Sequence, residues 1–252
     1  MIEVRNVHRW FGAHHVLQGL DLHIRDGETI VIIGRSGCGK SVLLKHMMGL
    51  LQPDEGDVVI DGTSIFSLGT RDQDIFRLKL GMLFQGAALF DSLSVEQNVG
   101  FSLYEHTQLV PEKIREVVRE KLALVGLAGI EDLMPAALSG GMKKRVGLAR
   151  AICNEPKIIF YDEPTTGLDP ISADAINDLI LRMQGQLKVT SVVVTHDMTS
   201  AYKVANRIAM LYEGKIVGIG SPEEIKNTQN PIIRQFTTGS ARGPITDQDD
   251  AS

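Results

Sequence analysis

The feature that most constrains this chain is a glycine-rich octapeptide, GRSGCGKS, at residues 34–41. It follows the apolar, β-branched run at residues 29–33 and precedes a helix-like run that ends near Gly49. Glycines let the backbone curl around an anion, and the N–H groups at a helix N-terminus point towards that anion. A strand, this loop and a helix in that order predict a cradle for the phosphates of a nucleotide.

Two side chains at the end of the loop carry the chemistry that a bound triphosphate needs. Lys40 is expected to reach the β- and γ-phosphates, and the hydroxyl of Ser41 supplies an oxygen ligand for Mg²⁺. Cys38 is expected to be a small filler, although a thiol reagent at this position would block nucleotide entry. The residues of this segment predicted to bind the nucleotide are Gly34, Ser36, Gly37, Cys38, Gly39, Lys40, Ser41 and Val42.

A second acidic element lies further along the chain, where the apolar run of residues 158–163, IIFYDE, ends in two carboxylates. Neighbouring side chains on a strand point to opposite sides. Asp162 is therefore predicted to hold Mg²⁺, while Glu163 orients or deprotonates the attacking water. Alone, such a pair is often a solvated strand end, but together with the phosphate loop it predicts the second half of a hydrolytic site.

Composition limits the partners and the cell compartment that are expected for such a chain. The net charge of −5 lacks the basic footprint of a nucleic-acid binder. The apolar runs are far shorter than the roughly 18 residues that a membrane span requires, so any membrane role is expected to come through a partner. The first residues lack the apolar region of a signal peptide, and two cysteines fit a reducing compartment. We therefore expect a chain that is not exported.

Residues 138–142, LSGGM, closely resemble the LSGGQ signature of the ABC ATPases. The resemblance extends from residue 3 to about residue 220. Two glycines at a helix N-terminus offer a second anion-binding surface, which the chain's own phosphate loop does not need. The resemblance implies that Ser139, Gly140 and Gly141 cap the γ-phosphate bound by a second copy of the chain, so that two chains enclose two ATP molecules head to tail.

Three further landmarks of this family occur in the expected order. Gln85 matches the Q-loop glutamine, which senses Mg²⁺ and water and couples to the permease. Asp169 lies in the TGLD segment that resembles the D-loop, at the dimer contact. His196 matches the switch histidine, which contacts the γ-phosphate and holds Glu163 in place.

The aromatic residue that stacks on adenine in this family matches Phe11, with Trp10 as its rival. The cofactors implied by the resemblance are ATP and Mg²⁺. In this interpretation the catalytic residues are Glu163, His196, Gln85 and Lys40, and the metal ligands are Ser41, Gln85 and Asp162.

The implied fold is α/β, a RecA-like P-loop NTPase core with an antiparallel β subdomain and an inserted α-helical subdomain. We place the ATPase domain at residues 1–238, with the core at 1–85 and 155–225, the helical subdomain at 86–154, and a tail at 239–252. Helical spacing predicts helices at residues 111–126, 141–152 and 172–184, the last one stopped by Gly185. The small polar residues of the tail predict a mobile segment unless a partner orders it.

The basic run Lys143, Lys144 and Arg145, the segment at 86–92 and the Lys-Ser-Val at 40–42 resemble the ATPases of Mla/Mce-type systems. These move phospholipids or other hydrophobic compounds across the envelope of Gram-negative bacteria. The partners implied are a multispan permease, an MCE-domain substrate-binding protein and often a small STAS-domain protein, with the ATPase on the cytoplasmic face of the inner membrane. The basic run could equally be a solvated helix face.

Residues 86–100 would form the groove for the permease, with Leu89, Phe90 and Leu93 as apolar anchors, although simple core packing also accounts for them. Two other functions share most of these motifs. The chain could energise a polar amino-acid importer, which would have a solute-binding partner. It could also be a soluble ABC ATPase in assembly or DNA metabolism, although it lacks a coiled-coil insertion, a second cassette and a basic surface.

Overall fold

The structure is a computed structural model that describes residues 1–247. Within them the chain forms ten strands. These strands are β1 (Ile2–Phe11), β2 (His14–Ile24), β3 (Thr29–Ile33), β4 (Glu55–Ile60), β5 (Thr63–Ser64), β6 (Leu80–Leu83), β7 (Ile158–Asp162), β8 (Thr190–Val194), β9 (Arg207–Tyr212) and β10 (Lys215–Gly220).

The helices alternate with these strands or follow one another in the middle of the chain. They are α1 (Lys40–Met47), α2 (Thr70–Arg77), α3 (Val95–His106), α4 (Pro111–Leu124), α5 (Gly140–Ala151), α6 (Pro170–Leu187), α7 (Met198–Val204), α8 (Pro222–Lys226), α9 (Pro231–Thr238) and α10 (Pro244–Asp247). Among residues 1–247, no helix has the length and hydropathy that a bilayer crossing demands.

The chain forms two compact units, and the first comprises Met1–Gly69 together with the chain from Val194 onward. Strands β2, β1, β4 and β5 lie in that order in an antiparallel sheet, as expected for the antiparallel β subdomain that the family resemblance implies. In the same unit β3 pairs in parallel with β9, and β9 pairs antiparallel with β10. Every residue of β3 is buried, which explains its continuous apolar sequence.

The second unit is Thr70–Val193. Strand β6 pairs in parallel with β7, and β8 follows on the other side of β7. Helices α3, α4 and α5 contact one another. Helix α4 begins at Pro111, as predicted, and buries Ile114, Val118 and Leu122. The predicted bounds of the helical subdomain, residues 86 and 154, do not coincide with the bounds of this unit. They remain a prediction.

The predicted end of the third helix is wrong, because α6 continues through Gly185 to Leu187. A glycine inside a helix costs only about 1 kcal/mol relative to alanine, and the buried face of α6, which includes Ile180 and Met183, offsets that cost. The helix ends at Lys188, whose φ of 52° is the left-handed conformation common at helix C-termini.

The expectation of a mobile tail is wrong for residues 239–247. Ile245 is only 4% exposed, and its N–H donates to Oε1 of Gln235 on α9 at 2.7 Å. Nε2 of Gln235 donates in turn to the hydroxyl of Thr246 at 3.1 Å. A single apolar residue and a buried glutamine thus fix this segment on its own chain. Residues 248–252 of the predicted tail lie outside the described residues.

Candidate functional site

The glycine-rich loop connects β3 to α1, as its sequence predicted. Gly34, where the loop begins, has a φ of 154°, and a Cβ atom here would collide with the carbonyl oxygen of Leu211. Nζ of Lys40 donates to the carbonyl oxygens of Gly34 and Arg35 at 2.7 and 2.9 Å. The loop therefore curls around the lysine ammonium, which gives a compact positive centre for phosphate oxygens.

A cavity of about 580 Å³ adjoins this loop. Residues 35–38 line one side of it, and the beginning of β2 and residues 212–214 line the rest. The volume lies in the range of sites for small molecules. The loop and the cavity together therefore fit a nucleotide, with the phosphates at the loop.

The two aromatic candidates for adenine stacking differ in their surroundings. Trp10 is already stacked, because its ring lies parallel to that of His15 with centroids 4.0 Å apart. Phe11, the last residue of β1, is 47% exposed, and the guanidinium of Arg9 lies 4.7 Å from its ring centroid. These surroundings favour Phe11 over Trp10 as the base-stacking residue.

In the second unit, strand β7 ends at Asp162, so the expectation that both carboxylates lie on the strand is wrong for Glu163. Glu163 has a φ of 49° and is 9% exposed. Its carboxylate accepts a hydrogen bond from the hydroxyl of Thr166 at 3.0 Å. The left-handed backbone, rather than strand alternation, therefore sets the direction of this side chain.

Lys144 is the residue near these carboxylates that sequence reasoning missed. The solvated-face interpretation of the basic run is wrong for it, because it is 4% exposed. Its ammonium donates to the carbonyl oxygen of Glu163 at 3.1 Å and to that of Gln85. Burial lowers the pKa of Lys144, and the charges of Glu163 and Asp162 oppose that shift. In the sequence it stood out only as a member of the basic run at residues 143–145.

Gln85 follows β6 and begins a turn in which Ala87 and Ala88 have φ values of 61° and 48°. The guanidinium of Arg150, on α5, donates to the carbonyl oxygens of both alanines at 2.7 Å. Burial lowers the pKa of Arg150. The side chain of Arg150 thus stabilises the turn through the main-chain carbonyl oxygens of the two alanines. The side chain of Gln85 is exposed.

The predicted anchors of the permease groove differ in exposure. Phe90 is exposed and its ring lies 4.9 Å from that of Phe101, whereas Leu89 and Leu93 are half-buried. A small groove of about 190 Å³, lined in part by Phe84, lies in the same unit. Exposed aromatic side chains of this kind are enriched at protein interfaces.

The signature segment forms the beginning of α5. The hydroxyl of Ser139 accepts a hydrogen bond from the N–H of Met142 at 3.3 Å and so caps the helix. Gly140 and Gly141 form the first turn, which has no acidic residue. Ser139 and Gly140 are exposed. The helix therefore presents a positive N-terminal end to solvent, as the sequence predicted.

Asp169 caps α6 in the same way. Its carboxylate accepts hydrogen bonds from the N–H groups of Ile171 and Ser172, both at 3.0 Å. Hydrogen bonds from Ser172 lower the pKa of Asp169. Ile171, just beyond it, is 84% exposed. In the first unit, His196 follows β8 and is exposed next to Asp197, which caps α7.

Comparison with known proteins places this arrangement in a family. A family model described as "ABC transporter" matches residues 17–166. The chain is 46% identical to the chloroplast protein TRIGALACTOSYLDIACYLGLYCEROL 3 of Arabidopsis thaliana, over 97% of this chain and 75% of that protein. It is 40% identical to the intermembrane phospholipid transport system ATP-binding protein MlaF of Haemophilus influenzae, over 97% of this chain and 93% of that protein.

A third relative is the probable ribonucleotide transport ATP-binding protein mkl of Mycobacterium tuberculosis, 41% identical over 97% of this chain and 68% of that protein. Among solved structures, a dimeric post-hydrolysis state of an ATP-binding cassette bound to ADP and Pi superposes with a TM-score of 0.81. It is 32% identical and covers 88% of this chain and 99% of its own. The chain belongs to the ABC transporter family and is one of its ATP-hydrolysing subunits.

Proposed function

We propose that this chain energises the movement of phospholipids or other hydrophobic compounds across a bacterial envelope. The observation that carries the proposal is its similarity, over 97% of its length, to a protein named for intermembrane phospholipid transport. A second relative bears the name of a galactolipid, which is again a membrane lipid. The relative named for ribonucleotide transport and the amino-acid importers are the polar alternatives.

The first unit carries the proposed phosphate- and base-binding residues. In the first unit, the loop from Gly34 to Val42 binds the phosphates with Lys40 at its centre, and Phe11 stacks on adenine. His196 contacts the γ-phosphate. The cavity of about 580 Å³ beside the loop supports the binding of a nucleotide at the loop. The loop amides and the lysine neutralise charge that builds up as the γ-phosphate leaves.

In the second unit, Glu163 orients the attacking water and accepts its proton. Gln85 and Asp162 in this unit, and Ser41 in the first unit, are the proposed Mg²⁺ ligands. They fit this metal, because Mg²⁺ takes hard oxygen ligands and is held by one or two carboxylates plus substrate phosphates. When bound, the metal neutralises charge on the β- and γ-phosphates.

The chain works with two kinds of partner in this proposal. A second copy supplies Ser139, Gly140 and Gly141 to the γ-phosphate, and Asp169 lies at that contact. The dimeric cassette that this chain resembles supports this pairing. A permease docks on the exposed aromatic residues Phe84, Phe90 and Phe101, which holds the chain at the cytoplasmic face of the inner membrane. An MCE-domain protein and a small STAS-domain protein complete the proposed assembly.

Purification of the tagged chain from its host in mild detergent, followed by mass spectrometry of proteins and lipids, tests the substrate class. A permease, an MCE-domain protein and bound phospholipid are the expected result. A solute-binding protein would indicate a polar importer, and the absence of any membrane partner would indicate a soluble ATPase.

The matched variant for this experiment is Phe90→Glu. It places a charge on the proposed permease surface and leaves the residues of the phosphate loop unchanged, so it should lose the permease while it still binds ATP. Permease recovery at the wild-type level would refute this docking surface without affecting the ATPase assignment.

A further inference from the structure

A buried lysine on α5 joins the two segments that carry the proposed water-orienting and metal-sensing residues. The ammonium of Lys144 donates to the carbonyl oxygen of Glu163 and to that of Gln85. Removing an ammonium from water costs several kcal/mol unless its charge and its donors are compensated. Two main-chain acceptors and the charges of Asp162 and Glu163 provide that compensation. The cost of burial indicates that this lysine does more than fill space.

The contact with Glu163 falls where the backbone is under strain. A left-handed φ of 49° is rare for a residue other than glycine and costs about 1–3 kcal/mol. Such a conformation persists only when its surroundings hold it. The carbonyl oxygen of Glu163 accepts from Nζ of Lys144 at 3.1 Å and from the N–H of Thr166 at 3.3 Å. The two hydrogen bonds hold the peptide group that follows the strained residue.

The contact with Gln85 is one of several contacts that one face of α5 makes with residues 83–88. Lys144, Gly147 and Arg150 are three residues apart and therefore share this face. Arg150 donates to the next part of the turn, at Ala87 and Ala88. Between the two, a Cβ atom on Gly147 would lie 2.9 Å from Leu83 and 3.3 Å from Ala87. Helix α5 thus lies directly against the segment that leads into and out of Gln85.

We infer that Lys144 is a positioning residue, which fixes the main chain of Glu163 and of Gln85 with respect to each other. The inference rests on the proposed roles of these two residues in ATP hydrolysis. Lys144 acts through their carbonyl oxygens rather than on the nucleotide. A displacement of about 1 Å at a catalytic group can lower a rate by about 100-fold. Its removal should therefore impair the chemical step and leave nucleotide binding largely intact.

The test compares three variants of the full-length chain. Lys144→Met removes the charge and the donors at similar side-chain length, Lys144→Arg retains both, and Lys143→Met changes the half-buried neighbouring lysine on the same helix. Steady-state ATPase assays give kcat and KM, and a fluorescent ATP analogue gives Kd. We expect Lys144→Met to lower kcat about 10- to 100-fold at nearly unchanged Kd. Lys144→Arg should recover most of kcat, and Lys143→Met should match the wild type.

Three outcomes would overturn the inference. These are a wild-type kcat in Lys144→Met, an equal loss of kcat and of ATP affinity in that variant, or no recovery in a folded Lys144→Arg variant. If Lys144→Met does not fold, Lys144→Arg is compared instead with Lys144→Gln, which has donors but no charge. Equal kcat values in these two variants would count against a need for the cation.

A Glu163→Gln variant separates the inference from the function on which it rests. Near-normal hydrolysis in Glu163→Gln would remove the proposed role of Glu163 and this inference with it. An inactive Glu163→Gln beside a fully active Lys144→Met would overturn the inference alone.

Discussion

The hydroxyl of Thr166 donates to Oε2 of Glu163 over 3.0 Å, three residues along the chain. The N–H of Thr166 also donates to the carbonyl oxygen of Glu163 at 3.3 Å. Thr166 therefore binds both the main chain and the side chain of the glutamate. Because Glu163 is nearly buried, this hydrogen bond limits the rotation of its carboxylate.

Glu163→Gln should keep ATP binding and lower turnover by at least about 100-fold, because an amide cannot accept the proton of the attacking water. The ATP-closed dimer should then accumulate, as detected by light scattering with ATP. Thr166→Val serves as the control, since it keeps the carboxylate and should retain more activity than Glu163→Gln. Near-normal hydrolysis by Glu163→Gln would show that another group activates the water.

Ile171→Asp should weaken the ATP-dependent dimer about 10- to 100-fold, because the proposed interface would lose the burial of one isoleucine side chain. The unfolding temperature should not fall, since an aspartate in the first turn of α6 favours the helix. Sedimentation with ATP, in a Glu163→Gln background, measures the dimer. Ile75→Asp, at another exposed isoleucine, is the control. An unchanged dimer would place Ile171 outside the contact.

Cys38 should react with a maleimide before Cys153 does, and ATP should protect it. Cys38 is half-buried within the loop, whereas Cys153 is buried and its pKa is raised to about 11 by that burial. Burial also raises the pKa of Cys38, against the charge of Lys40. Because the thiolate is the reactive form, labelling of Cys38 should speed up as the pH rises above 7.

Mass spectrometry of the labelled chain checks this order, and Cys38→Ser should abolish the fast phase. Equal labelling with and without ATP would argue against a nucleotide beside Cys38.

Ile245→Ala should release the segment at residues 239–247 from α9. The loss of a buried isoleucine costs about 2–5 kcal/mol, which exceeds what a four-residue helix and a few hydrogen bonds supply. Trypsin should then cut after Arg242 much faster, as followed by intact-mass analysis, while the unfolding temperature of the rest of the chain changes little. Asp247→Ala, at an exposed position, is the matched control, and equal cleavage of both would show that Ile245 does not hold the segment.

The sequence predicted the elements that depend on local pattern. The loop at Gly34, the start of α4 at Pro111 and a helix that begins at the two glycines of α5 all follow from residues close to one another along the chain. The family resemblance then placed Glu163 and His196 without any structural information. These parts of the site can be identified from a few consecutive residues of the sequence.

What could not be predicted depends on contacts between distant segments. Glu163 lies beyond the strand, and its carbonyl oxygen accepts hydrogen bonds from Lys144 and Thr166, of which only Thr166 is a sequence neighbour. Gly185 does not end α6, because the packing of its buried face outweighs the cost of one glycine. Ile245 is buried although its neighbours are small and polar, since its partner, Gln235, lies ten residues earlier.

The close approach of Gly34 to the carbonyl oxygen of Leu211 gives the nucleotide cavity an unexpected rigidity. Leu211 belongs to β9, and the next three residues of the chain, 212–214, line the same cavity opposite the loop. The end of β9 therefore contacts the beginning of the phosphate loop and also leads into residues that line the cavity. A change in the turn after β9 is therefore expected to alter the main chain at Gly34, where the phosphate loop begins.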